Sequence, residues 1–191
     1  MKRENLFLIV NSIILLAIGI GVIIAFSLFV PKDPEDLLFG QAVTLGESEV
    51  VQNVPAFGNY SIVNTVQTAY SVSGDELGVV YTVKAVYTYF QADQPGYIEL
   101  LVGIDNNNKV TVQIVDLDQT VTYNSGIQNY VYEYFQGFGT DQLILIPVIN
   151  LEDLDAGVTA SRSTGMVKEL VTKAIEYHVN QTLSISEVNQ G

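Results

Sequence analysis

The stretch Gly96-Tyr-Ile-Glu-Leu-Leu-Val-Gly-Ile-Asp105, then Asn106-Asn-Asn-Lys109, then Val110-Thr-Val-Gln-Ile-Val-Asp-Leu117 decides the fold. Tyr97 to Ile104 and Val110 to Leu117 are two β-rich runs. Between them, Asp105 to Lys109 is a turn of residues that tolerate left-handed backbone. The three segments together predict an antiparallel hairpin. Upstream, Leu77 to Phe90 is rich in Val and Tyr with approximate period-two alternation, and reads as a third strand. Downstream, Ile127, Tyr130, Val131 and Tyr134 recur at helical spacing within Ser125 to Phe135. Gln142 to Ile149 is a short, continuous apolar run, expected to be a buried strand. Met166, Val167, Leu170, Val171, Ala174 and Ile175 share one face of a helix over Met166 to Tyr177, with Lys168, Glu169, Lys173 and Glu176 opposite. Strands packed against a few helices define an α+β domain with an antiparallel sheet.

The N-terminus has a different character. Leu6 to Val30 carries no charged residue. At about 1.5 Å rise per residue, such a run exceeds the ~20 residues that cross a ~30 Å hydrocarbon core. Lys2 and Arg3 precede it, which places the N-terminus in the cytoplasm and the domain outside. The run is longer than a signal-peptide core and ends in Ser-Leu-Phe-Val-Pro-Lys-Asp, a poor cleavage site. The expected organisation is therefore an anchor over residues 1–30 and a polar linker over 31–40. An extracytoplasmic domain over 41–180 and a C-terminal tail over 181–191 follow.

The chain has 21 Asp and Glu against 8 Lys and Arg, a formal net charge of -13. An acidic surface repels phosphate backbones, which argues against a nucleic-acid partner. The absence of Cys excludes disulfides, thiolate metal sites and cysteine catalysis. No Gly-x-Ser-x-Gly elbow, Walker motif or dinucleotide fingerprint occurs. Asp105-Asn-Asn-Asn-Lys-Val lacks the Gly and distal Glu of an EF-hand loop and reads as a turn. His178, the one histidine, is expected just past the last helical turn, where it would meet the C-terminal end of the helix dipole.

The chemistry concentrates in Asp155-Ala-Gly-Val-Thr-Ala-Ser-Arg-Ser-Thr-Gly-Met-Val167. A hydroxyl-dense, glycine-containing turn runs into an amphipathic helix, whose first N–H groups and positive dipole end favour an anion. The plain alternative is that Ser161, Ser163 and Thr164 cap the helix.

This stretch resembles the flavinylation motif of the FMN-binding domain family, and the resemblance extends over roughly Gly96 to His178 together with the membrane anchor. Within the family it is similar to the G subunit of Rnf electron-transport complexes and the C subunit of the sodium-pumping NADH:quinone reductase. The resemblance implies FMN joined through its phosphate to the hydroxyl of Ser161, with Ala160 before it. Val158 stands where the family has Ser or Thr, Thr159 where it has Gly, and Ser161 where it has Thr. The resemblance also implies recognition of Asp155 by a flavin transferase. Arg162, Ser163 and Thr164 follow as candidate cofactor contacts. Gln119-Thr120 and the diverged Val121 to Gly126 correspond to the family's loop beside the flavin. The implied function is that of a membrane-anchored electron carrier. It would serve in an Rnf-like, ion-translocating ferredoxin:NAD oxidoreductase complex with integral-membrane redox subunits as partners. A stand-alone surface flavoprotein and a flavin-free anchored binding or assembly domain are the alternatives.

Overall fold

The computed structural model describes residues 10–22, 33–55, 61–88, 95–118, 121–147 and 160–188. The chain divides into two compact units, Met1–Lys32 and Asp33–Gly191. In the first, residues 10–22 form helix α1, and its large aliphatic side chains, Ile13 to Leu16 among them, are exposed. Among the described residues no helix is long and apolar enough to cross a membrane. The uncharged run from Leu6 to Val30 extends past the described residues at both ends.

The second unit is α+β. Its strands are β1 (Val43–Leu45), β2 (Glu49–Pro55), β3 (Ser61–Ser71), β4 (Glu76–Thr88), β5 (Pro95–Asp105), β6 (Lys109–Asp118) and β7 (Gln136–Gly139). They form one antiparallel sheet in the order β1-β3-β4-β5-β6-β7, with β2 also paired to β3. Each central strand neighbours the next in sequence, so short turns suffice to join them. The expected hairpin is β5–β6. Its turn is fastened by Asp105, whose Oδ1 accepts from the backbone N–H of Asn107 and of Lys109, both at 2.8 Å. Asn108 takes the positive φ of 58° that Asn tolerates better than most residues.

Two faces result. Val83, Ala85, Ile98, Leu100, Val102, Ile104, Val110 and Val112 line one of them and are buried. A bulge on this side changes the pattern late in β6. Leu100 pairs with Ile114 but Glu99 pairs with Asp116, so Val115 is the extra residue. The parity flips after it. Leu117 therefore joins the core face, and Asp116 turns to solvent.

Helices α3 (Val121–Tyr134) and α4 (Ala160–Val188) cover this face. From α3 come Ile127, Tyr130 and Val131. From α4 come the apolar positions expected from the sequence, Met166, Val167, Leu170, Val171, Ala174 and Ile175. Burying a side chain such as Leu170 contributes about 1.5–3 kcal/mol, which is why an amphipathic helix is held here rather than by propensity alone.

The opposite face is covered at one end by α2 (Pro34–Phe39). Pro34 at its first turn and Gly40 in the left-handed region after its end delimit it. Leu38 is its buried residue and packs with Ala69, Val80 and Leu101. Gly103 admits it, since a Cβ there would lie 3.0 Å from the Leu38 Cβ. Asp36 Oδ1 accepts from the Val43 N–H at 2.9 Å and ties the helix to β1. Residues 34–39, expected within a linker, thus belong to the domain.

Three local expectations are corrected. Gln142 to Leu145, the start of the expected buried strand, belongs to a 3-10 helix over Thr140–Leu145, and residues 148–149 lie outside the described residues. Its exposure explains the change: Leu143 and Ile146, three residues apart, are buried, while Ile144 and Leu145 between them are 83% and 77% exposed. An i, i+3 spacing satisfies one turn of 3-10 helix, and a continuous apolar run does not distinguish that from a strand. His178 does not follow the last turn of its helix, since α4 continues to Val188 through most of the expected tail. It therefore meets no helix C-terminus. Val121 to Gly126 is not a loop; it forms the first turns of α3.

Candidate functional site

The candidate site is built from the N-termini of α3 and α4. Their relative direction follows from the sheet register. Tyr81 on β4 pairs with Val102 on β5, which pairs with Val112 on β6. The Val112 N–H donates to the Phe135 carbonyl at the end of α3, at 3.0 Å. At the same level of the sheet, Tyr81 lies against Tyr177 and His178 of α4, with ring centroids 6.1 and 6.2 Å away. Tyr130 of α3 and Lys168 of α4 reach the consecutive carbonyls of Pro147 and Ile146, so the two helices share a second level nearer their N-termini and run in the same direction. Tracing back at about 1.5 Å per residue, α3 begins ~21 Å away and the first residues of α4 ~26 Å away. Both N-termini lie at the end of the domain where β6 finishes at Asp118.

The first N–H groups of a helix have no partner within the helix, and its N-terminal end carries the positive end of the dipole. Ala160, Ser161 and Arg162 are the first three residues of α4. Ser163 and Thr164 follow inside the helix and are buried at 6% and 0% exposure. Since α4 starts at Ala160, neither of these two hydroxyls is a residue that precedes the helix and caps it; that expectation is corrected. In the first turn of α3, the Asn124 Oδ1 is buried and has no hydrogen-bond partner. A buried, unpaired acceptor costs about 1–3 kcal/mol, so a donor brought there by a ligand would be stabilising. Asp155, Val158, Thr159 and Thr120 lie outside the described residues.

The chain arrives at this site through a fastened exit. Ile146 closes the 3-10 helix with its N–H on the Leu143 carbonyl at 3.1 Å. The Lys168 ammonium donates to the Ile146 carbonyl at 2.5 Å. The Tyr130 hydroxyl donates to the Pro147 carbonyl at 2.8 Å. Burial, and then the neighbouring Tyr134, push the Tyr130 phenol above its ordinary pKa, so it remains a donor at neutral pH. Tyr130 also packs edge-on against Phe135, with centroids 5.2 Å apart. Asn124, Tyr130 and Lys168 were not singled out from the sequence for any chemistry. A tyrosine and a lysine on amphipathic helices carry no signal of the distant carbonyls they reach.

A second polar group occupies the other face. Lys84 Nζ lies 2.7 Å from Glu99 Oε2 and 4.1 Å from the centroid of the Tyr97 ring. The Tyr97 hydroxyl donates to Asp116 Oδ2 at 2.5 Å. That hydrogen bond is the main reason the phenol is pushed up to about 12. Among the described residues no group of three or more His, Asp or Glu side chains could hold a metal ion.

The second unit is thus an α+β domain whose helices α3 and α4 turn their N-termini to one end. Comparison with protein-family models, curated proteins and solved structures found no match.

Proposed function

We propose that this protein is a membrane-anchored, extracytoplasmic flavoprotein that carries FMN as a phosphoester on Ser161. Its role is electron transfer as a subunit of an Rnf-like, ion-translocating ferredoxin:NAD oxidoreductase complex, beside integral-membrane redox subunits. One observation carries this reading: α3 and α4 run in the same direction from the level of Tyr130 and Lys168 to that of Phe135 and Tyr177, which turns their N-termini to one end of the domain, and Ser161 belongs to the first turn of α4. Helix N-termini favour an anion through the dipole and through first-turn N–H groups that have no partner within the helix. The buried Asn124 Oδ1 supplies an acceptor for a ring N–H or ribityl hydroxyl. The uncharged run from Leu6 to Val30, with Lys2 and Arg3 before it, supports the anchor and its orientation.

Attachment requires an activated donor, and a flavin adenine dinucleotide is one. The Ser161 Oγ bonds to the phosphorus of the FMN half, the phosphoanhydride P–O bond breaks, and AMP leaves with that oxygen. The hydroxyl proton passes to a base of the flavin transferase, and no electrons are exchanged. Once bound, the flavin supplies the redox chemistry. The protein holds the phosphate at the helix N-termini and keeps the adduct from being lost outside the cell. Co-expression of the full chain with a flavin transferase should give a band that stays fluorescent in a denaturing gel, with the mass of one FMN added. A folded domain without added mass, made beside an active transferase, would overturn the reading.

A further inference from the structure

We infer that Lys168 and Tyr130 are positioning residues that set where the chain leaves the 3-10 helix for the segment leading to Ser161. They bond to consecutive carbonyls from two different helices. Lys168 on α4 holds Ile146, and Tyr130 on α3 holds Pro147. Neither carbonyl is in a regular helix or strand ladder, so each needs a side-chain donor or water. Both donors are suited to a fixed geometry. Tyr130 is 2% exposed and wedged between Tyr134 and Phe135. Lys168 is half-buried and places a full positive charge on a carbonyl, a stronger bond than a neutral pair makes.

Lys168 also lies on the helix that opens with Ala160 and Ser161. The bond to Ile146 therefore fastens one end of residues 148–159 to the very helix in which the other end terminates. Its consequence for acceptor presentation rests on the proposed flavinylation of Ser161. The clasp itself does not.

The test uses the full chain in four forms: wild type, Lys168→Met, Lys168→Arg and Tyr130→Phe. Lys173→Met, which removes the exposed Lys173–Glu176 pair, is the control. Hydrogen–deuterium exchange should rise about tenfold at the Ile146 amide in Lys168→Met, with β5 amides unchanged. The rate of labelling by a flavin transferase, taken as kcat/KM, should fall about tenfold in Lys168→Met and Tyr130→Phe. Lys168→Arg should restore it, and Lys173→Met should leave both readouts at the wild-type level. Unaltered exchange at Ile146 in Lys168→Met would overturn the clasp whether or not flavin is attached. Altered exchange with undiminished labelling would overturn its role in acceptor presentation. Absence of label on the wild type would count against flavinylation alone, and the exchange experiment would still decide the clasp.

Discussion

The Tyr81 hydroxyl and the Nδ1 of His178 lie 3.4 Å apart, although 97 positions separate them in the chain. The contact joins β4 to the second half of α4, and the Tyr177 ring packs edge-on beside it. Burial, and then Tyr177, raise the Tyr81 phenol above its ordinary pKa. Burial lowers the His178 imidazole below its ordinary value of 6.5.

A pH dependence follows. Because the folded state disfavours protonated His178, the unfolded chain binds more protons below about pH 6.5. The stability that neutral His178 contributes is complete above that value and is lost as pH falls toward its folded pKa. Denaturant midpoints between pH 8 and 5.5 should decline on the acid side. His178→Gln should flatten that decline; an unchanged slope in the variant would show that another group is responsible.

Ser161→Ala should abolish any flavin mass on the peptide containing residue 161, because alanine has no oxygen to esterify. Ser161→Thr should keep it. Peptide mass mapping reads both. An adduct that persists in Ser161→Ala would move the acceptor elsewhere.

Gly78→Ala should destabilise the domain by about 2–4 kcal/mol. Gly78 has φ +150° at a β3–β4 irregularity, and a Cβ there would collide with the Ile104 carbonyl oxygen. Equilibrium denaturation measures the loss; a change within error would mean that β4 and β5 separate there easily.

Leu170→Ala and Lys84→Ala should differ sharply. Leu170 is fully buried between α4 and the sheet, so truncation should cost about 2–5 kcal/mol. Lys84 makes a partly exposed ion pair and a ring contact, together worth about 1 kcal/mol. Comparable losses in the two variants would show that the polar face carries more of the stability than its exposure implies.

If the proposed anchor is uncleaved, the mature protein should retain its N-terminus. The motive is the uncharged run from Leu6 to Val30 and the poor cleavage site after it. An intact mass beginning near Pro31 would identify that segment as a removed signal.

Local patterns with a physical period were legible in the sequence. The hairpin from Tyr97 to Leu117 follows from two β-rich runs around a turn of Asp and Asn. The buried face of α4 from Met166 to Ile175 follows from helical spacing. These depend on contacts between near neighbours or on one repeating face, which the chain writes directly. Tertiary structure decided the rest. Only pairing shows that Val115 is a bulge and that Asp116 faces water while Leu117 faces the core. Only packing makes Gln142 to Leu145 a 3-10 turn instead of a strand, since the same apolar residues satisfy either until Leu143 and Ile146 find the core. Ser161 was visible as a hydroxyl ahead of a helix. That the N-terminus of α3 lies at the same end, with Asn124 unpaired and Lys168 and Tyr130 gripping successive carbonyls, was not. These relations join residues far apart in the chain, and the geometry that makes them bond exists only once the sheet has set both helices side by side.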